Sequence, residues 1–476
     1  MFESNMRTAS RLPDAAASPS AGPRPDVDPR RLPTPPGPKG GLLVGTALEF
    51  LRAPLPSIDE LRERYGDTSM STFGPFRFVF VHQPEDVKRV LVTNHRNYIK
   101  SRSYEGLRLA LGNGLVTSEG DFWRRQRKLS QPAFHRQRLE GLVSTMVDCV
   151  ERAEHRWRDR VGRGAGKLDL HQEMMRLTLG IVGHTLFGIE LAGESNELGP
   201  AVSTILAHAN KYAESLVRVP LWMPTPANFR FRRAKRRIDE TVHRIIAERR
   251  RNPEDRGDLL SMLMAASDGD ERMTDDQLRD EVLTFFAAGH ETIAVSMGWT
   301  FLMLSQYPEA ARKIREEVRE VVGDERITFE MLPRLKYTGW VISEVMRMYP
   351  PVWIIERQAL ADDVLGGYRI PKGTIVAVSP WGLHYSPKLW DDPQRFDPGR
   401  FSEERSEGRN KYAYLPFGGG PRVCIGNHFA MMESKVIVAM LLRSFDVDVA
   451  RNPPPTPVPR VTLRPEGGMP AEISTN

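Results

Sequence analysis

The sequence predicts a mainly α-helical body carrying a small β lobe, and three observations predict it. Apolar residues recur at helical spacing through most of the middle of the chain. Strand-like runs are few and far apart, at 72–82, 368–370 and 374–379. One glycine-rich loop, Phe417 to Gly426, feeds directly into a long helical pattern.

Taken in order, residues 1–36 are rich in Ala, Ser, Pro and Arg without apolar periodicity and read as a disordered tail. That leaves 37–476 as a single domain. Leu48 to Tyr65 reads as a short amphipathic helix, and Thr72 to His82 as a hairpin turning at Gly74-Pro75. A helix is expected from Pro84 to Thr93, and another around Asp121 to Phe134 with Trp123 and Arg127 on one face. Phe229 to Arg251 is the most basic stretch. Its stripe of Phe231, Ala234, Ile238, Val242, Ile245 and Ile246 makes it a helix with one buried side and solvated arginines, not a nucleic-acid reader. Thr274 to Gln306 reads as one unusually long helix, opened by a capping box of Thr274 with Gln277 and closed before Tyr307-Pro308. At its centre Ala287-Ala288-Gly289-His290-Glu291-Thr292 leaves one face nearly bare, with His290 a packing residue.

Composition narrows the chemistry. The chain has 476 residues, 40% hydrophobic and 27% charged, an ordinary globular balance. Lys and Arg number 67 against 61 Asp and Glu, and the resulting net charge of +6 does not argue for nucleic acid. Two cysteines, Cys149 and Cys424, exclude a disulfide framework and a Cys-rich zinc or iron–sulfur site. Cys149 sits in a helical apolar pattern as a small buried hydrophobe. No stretch approaches the roughly 20 apolar residues that span a bilayer, and no signal-peptide pattern opens the chain, so a soluble cytoplasmic protein is expected.

Cys424 is the candidate with chemistry. It lies where the loop Phe417-Gly-Gly-Gly-Pro-Arg-Val-Cys-Ile-Gly426 enters a helix, whose positive end and amides favour a thiolate. Missing side chains let a flat macrocycle approach, and Arg422 can reach an acidic group at its edge. A lone Gly-x-x-Cys belongs to many ordinary turns. Ten residues fitting Phe-x-x-Gly-x-Arg-x-Cys-x-Gly do not, and they resemble the haem-binding signature of the cytochromes P-450, the haem-thiolate monooxygenases.

The resemblance runs from Trp123 to Gly426 in the family's order. It implies the cytochrome P-450 fold, haem b as cofactor, and Cys424 as the iron ligand. It further implies Trp123, Arg127, Arg357 and Arg422 at the haem propionates, with Phe417 and Gly289 against the macrocycle. Ala-Gly-x-Glu-Thr resembles the oxygen-activation motif, with Thr292 at the oxygen face and Glu291 relaying protons; Ile293 departs from the Thr or Ser usual after that threonine. Glu344 and Arg347 match Glu-x-x-Arg, and Arg395 in Pro393-Gln394-Arg395-Phe396 is expected to complete a structural clamp, with Gln394 in place of the usual Glu. The loop Val219 to Pro226 is expected over the substrate entrance.

These expectations describe a monooxygenase that takes O2 and an apolar small molecule. Val116, Val352, Trp353 and Ile354 match pocket-lining positions and suggest a dry, mainly aliphatic cavity. A fatty acid suits it, with an entrance Lys or Arg holding the carboxylate; a terpenoid, steroid or macrocyclic natural product is the alternative, and a non-catalytic haem protein the remote one. No flavin domain fits, so electrons are expected from an acidic ferredoxin or flavodoxin with its NAD(P)H reductase. It would dock on a basic rim of Arg124, Arg125, Lys128, Arg136, Arg138 and Lys435. A monomer without a transmembrane anchor is expected.

Overall fold

A computed structural model describes residues 28–40, 45–164, 166–188, 201, 204–209, 211–212, 219–252, 254–268, 271–449 and 453–476. Residues 1–27 of the expected tail lie outside the described residues. The rest of that tail is docked. The carbonyl of Pro33 accepts from Arg369 N–H at 2.8 Å, and that of Pro36 from Met70 N–H at 2.8 Å. The proline-rich segment has few donors to satisfy, so its carbonyls can bind a strand edge without folding further. The boundary expected at 36 therefore falls inside docked chain.

The expected helix over 48–65 is two helices, α1 (Ala47–Arg52) and α2 (Pro54–Tyr65), because Pro54 cannot continue the first and starts the second. The hairpin is β1 (Thr68–Phe73) and β2 (Phe76–Val81), in register from Thr68↔Val81 to Phe73↔Phe76. Gly74 turns it with φ +58°. β3 (Tyr98–Lys100), β4 (Ile355–Ala359) and β5 (Ile375–Val378) complete a five-stranded sheet of order β1-β2-β5-β4-β3. Tyr368–Ile370 belongs to a separate hairpin with Asp363–Leu365.

The helical body contains α3 (Gly120–Ser130), α4 (Val143–Gly162), α5 (Leu170–Phe187) and α6 (Pro226–Arg251). It continues with α7 (Asp275–Gln306), α8 (Lys336–Met348) and α9 (Asn427–Ser444). α6 buries Phe231, Ala234, Ile238, Val242 and Ile246, the inner stripe its sequence periodicity predicts. α7 opens with the Thr274–Gln277 capping box and spans 32 residues, about 48 Å at 1.5 Å per residue. From Ile293 to Leu304 every residue is buried, so its second half is a core helix, with Thr300 Oγ1 satisfied by Ser296 O of its own turn. Trp299 stacks on Tyr349 of the α8 terminus with ring centroids 4.3 Å apart. The main core runs through α4, α5, α7, α8 and α9, and two smaller clusters lie against the sheet. Among the described residues no helix is long and apolar enough to cross a membrane.

Candidate active site

The cysteine loop is held by its own backbone. Cys424 N–H donates to Phe417 O at 3.0 Å, closing the turn ahead of α9. Gly420 has φ +70°, and a Cβ there would lie 1.9 Å from Leu91 O, so only glycine fits. Cys424 keeps an exposed surface although the surrounding protein desolvates it. Burial, the largest influence, raises its thiol above the ordinary value; the Gly426 N–H and the Arg127 charge act the other way. Burial therefore outweighs the helix end and amides that the sequence expectation took to favour a thiolate. Arg127 anchors here, its Nη1 donating to Val423 O at 2.9 Å.

A second group of cations gathers where β3 meets β4. Lys100 and Arg357 are opposite one another in the ladder. Arg422 donates to Ser118 O at 3.0 Å, pairs with Glu119, and lies 4.2 Å from the centroid of Trp123. Arg357 is buried and donates to Glu356 O at 2.8 Å. Burial, and then repulsion from Arg422, Arg357 and Arg108, pulls Lys100 down to about 6, against Glu119. Lys100 was missed by the sequence reading. Its signal is the register itself, since like charges directly opposite are destabilising unless an anion joins them. Such an edge fits the two propionates of haem, and an accessible Cys424 on a glycine loop fits its iron. Among the predicted propionate ligands, Trp123, Arg357 and Arg422 converge there, while Arg127 faces the cysteine loop.

One face of α7 lines a cavity of about 1040 Å³. Thr284, Ala287, Ala288, Glu291 and Thr292 reach it at i, i+3, i+4, i+7 and i+8. Thr292 Oγ1 donates to Ala288 O at 2.6 Å. Glu291 is buried; its Oε1 accepts from the Thr462 hydroxyl and from Arg464 Nε at 2.6 Å, while Oε2 has no partner. Burial alone would raise its carboxyl, but Arg464 and Thr462 outweigh that and hold it below the ordinary range. Gly289 corrects an expectation: a Cβ there would lie 3.0 Å from Val182, so this glycine permits close packing with α5 and does not face the cavity. His290 donates from Nε2 to Met175 O at 2.9 Å, the packing role expected of it.

Val116, Val352, Trp353 and Ile354 all line the cavity. The sequence reading missed the aromatic wall of Phe50, Phe73, Phe76 and Phe78, and Val458 and Val461 near the C terminus. Phe76 and Phe78 lie on one face of β2 at i, i+2, the only local signal for that wall. Arg102 sits over Phe76, 3.8 Å from its centroid, and Lys211 also reaches the cavity.

The clamp is present, with one member corrected. Glu344 and Arg347 are fully buried and joined by two hydrogen bonds of 2.7 and 2.9 Å. The Arg395 side chain, however, is 67% exposed and reaches only to 4.0 Å from Asp397, while its carbonyl accepts from Arg347 Nη2 at 3.4 Å. Arg400 takes its place, buried with Nε 3.4 Å from Glu344. The spacing Pro-x-Arg-Phe occurs twice, at 393–396 and 398–401, and the short helix Pro398–Phe401 turns the second arginine inward. His384 couples the clamp to the cysteine loop. Its carbonyl accepts from Arg347 Nη1 at 2.9 Å, and its Nε2 accepts from Leu415 N–H at 2.9 Å. Lys435, placed at a basic rim from sequence, instead donates to Leu332 O at 2.8 Å and is withdrawn from that surface. Arg124 pairs with Asp121 on α3. Cys149 is buried as expected, accepting from Arg152 at 3.0 Å.

Residues 35–470 match the family model described as Cytochrome P450. The chain is 34% identical over 425 residues to cyclooctat-9-en-7-ol 5-monooxygenase of Streptomyces melanosporofaciens, covering 88% of this chain and 89% of that one. It is 34% identical over 427 residues to pentalenene oxygenase of Streptomyces avermitilis, covering 88% and 93%. A cyanobacterial CYP120A1 with retinoic acid bound superposes with a TM-score of 0.84 at 25% identity, over 94% of this chain and 100% of that one.

Proposed function

As the chain belongs to the cytochrome P450 family of haem-thiolate monooxygenases, we propose that it oxygenates a terpenoid held in the cavity beside Thr292. The observation that carries this reading is the cavity wall. It is aromatic and aliphatic over most of its surface, and about 1040 Å³ lies just above the roughly 300–1,000 Å³ usual for small-molecule sites. Two relatives named for terpenoid oxygenation support it. The fatty-acid reading rests on Arg102 and Lys211, either of which could meet a carboxylate.

The cofactor is haem b, which when bound supplies the activation of O2 that places one oxygen atom in the substrate and reduces the other to water. Around it, Cys424 would be the thiolate ligand, and Lys100, Arg357, Arg422 and Trp123 would hold the propionates. Ala287 and Ala288 leave the α7 face open to a flat group. The Thr292 hydroxyl is oriented by Ala288 O and holds a proton at Oγ1, and the apolar wall keeps bulk water away. Glu291, held ionised by Arg464, accepts a proton before it can pass one on. We read the chain as a monomer served by a separate acidic ferredoxin or flavodoxin and its reductase, docking on the face of α3 that exposes Arg124 and Lys128.

A spectral titration tests the substrate class. A sesquiterpene hydrocarbon such as pentalenene should convert the haem towards high spin at micromolar concentration, while a long-chain fatty acid should not. Conversion by the fatty acid alone overturns the terpenoid reading.

A further inference from the structure

Between the helix Tyr104–Leu111 and α3 runs a loop, residues 112–119, that supplies Val116 to the cavity wall. The loop is gripped from two sides by polar contacts to its backbone. From α7, Asp280 Oδ2 accepts Asn113 N–H at 2.7 Å and Glu281 Oε2 accepts Leu115 N–H at 3.0 Å. From the cationic edge, Lys100 donates to Leu115 O at 3.4 Å and Ser118 O at 3.2 Å, and Arg422 donates to Ser118 O at 3.0 Å. The loop also lies hard against α7. A Cβ on Gly112 would stand 2.0 Å from Asp280 Oδ1, and one on Gly114 would stand 2.2 Å from Thr284 Oγ1.

Glu281 is 1% exposed, and its Oε1 is buried with no hydrogen-bond partner. A carboxyl so placed costs stability that an apolar side chain of similar shape would not. What it adds is one directed bond to the backbone beside Val116. We propose that Asp280 and Glu281 are positioning residues that latch this loop to α7 and so set, through Val116, which apolar molecules the cavity accepts. The inference rests on the reading that the cavity is the substrate site.

The latch is also tied to the haem edge, because Lys100 binds Leu115 O while Glu281 binds Leu115 N–H. Burial pushes Glu281 up to about 7, with Asp280 of its own helix raising it further and the Leu115 N–H and Lys100 of β3 opposing. Its ionised form is the stronger acceptor for the Leu115 N–H, but burial makes that form the costlier one in the folded chain.

The test uses haem-loaded enzyme and spectral titration with pentalenene. Glu281→Ala should keep its haem content yet weaken binding roughly tenfold or more, and Glu281→Gln, which retains an acceptor, should recover most of that loss. Gly114→Ala should reproduce the loss by displacing the loop. Val116→Ala should cost little further once Glu281→Ala is present, since both act through one side chain. Parental affinity in Glu281→Ala and Gly114→Ala, or full additivity with Val116→Ala, overturns the latch. If Glu281→Ala fails to take up haem, Gly114→Ala alone and combined with Val116→Ala decides the matter. A parent that binds fatty acid and no terpenoid overturns the substrate reading only, and the same variants titrated with fatty acid then decide the latch.

Discussion

Lys100 of β3 and Arg357 of β4 stand directly opposite one another in an antiparallel ladder with Arg422 close by, and burial with that crowding pulls Lys100 down to about 6. An anion shared at this edge would restore the Lys100 charge, and the propionates of haem would supply two. Lys100→Met should therefore release haem about tenfold faster or more, the worth of one charge-assisted hydrogen bond. Lys100→Arg should stay near the parent. Transfer of haem to excess apomyoglobin measures both rates, and equal rates for Lys100→Met and parent would remove Lys100 from the propionate site.

The corrected clamp separates two neighbouring arginines. Arg400→Gln leaves the buried Glu344 with one cation fewer and should cost about 3–5 kcal/mol, with partial loss of haem through the His384 link to the cysteine loop. Arg395→Gln, on the surface, should stay within about 0.5 kcal/mol of the parent. Denaturant midpoints followed by tryptophan fluorescence distinguish them, and a reversed order would restore the assignment expected from sequence.

Glu281 gives a pH dependence with a definite sign. Its folded value is raised to about 7 from an ordinary 4.5, so between those values the native state binds more protons than the unfolded chain. Its contribution is fully present below about pH 4.5 and is lost as pH rises through about 7, a change of about 3 kcal/mol. Glu281→Gln should flatten that part of the slope when unfolding midpoints are compared at about pH 5 and about pH 8. An unchanged slope would show that Glu281 does not titrate in this window.

Much of this site was legible in the sequence, and the failures have separate physical causes. Cys424, the α7 motif and the Glu344–Arg347 pair are short patterns within single elements, so the resemblance to the family could pick them out. Val116 and Val352 to Ile354 were placed by resemblance to the family, and the cavity contains them. Lys100 became visible only through pairing across more than 250 residues, which periodicity cannot report. Arg395 failed because Pro-x-Arg-Phe occurs twice within nine residues, and only the local turn decides which arginine points inward. Gly289 failed because a glycine on a helix opens a face without saying what fills it; Val182 does. The mainly α body followed correctly from the helical periodicity, but the strands were under-read: 14 lie among the described residues, each two to six residues long and too short for alternation to show.

Thr292→Ala should leave haem content unchanged and divert reducing equivalents into peroxide, several-fold more per NAD(P)H consumed. The hydroxyl on the cavity face of α7, oriented by Ala288 O, is the proton-holding group in question. Product formed per NAD(P)H, measured with a bound substrate, checks this. Unchanged coupling would assign the proton supply elsewhere.

The ligand assignment is tested most directly by the reduced carbon monoxide spectrum of two single variants. Cys149→Ser, buried beside Arg152 and away from the glycine loop, should retain the strongly red-shifted Soret band of a thiolate-ligated haem. Cys424→Ser should lose that band, since an oxygen ligand lacks the thiolate's electron donation. Survival of the band in Cys424→Ser together with its loss in Cys149→Ser would contradict the account.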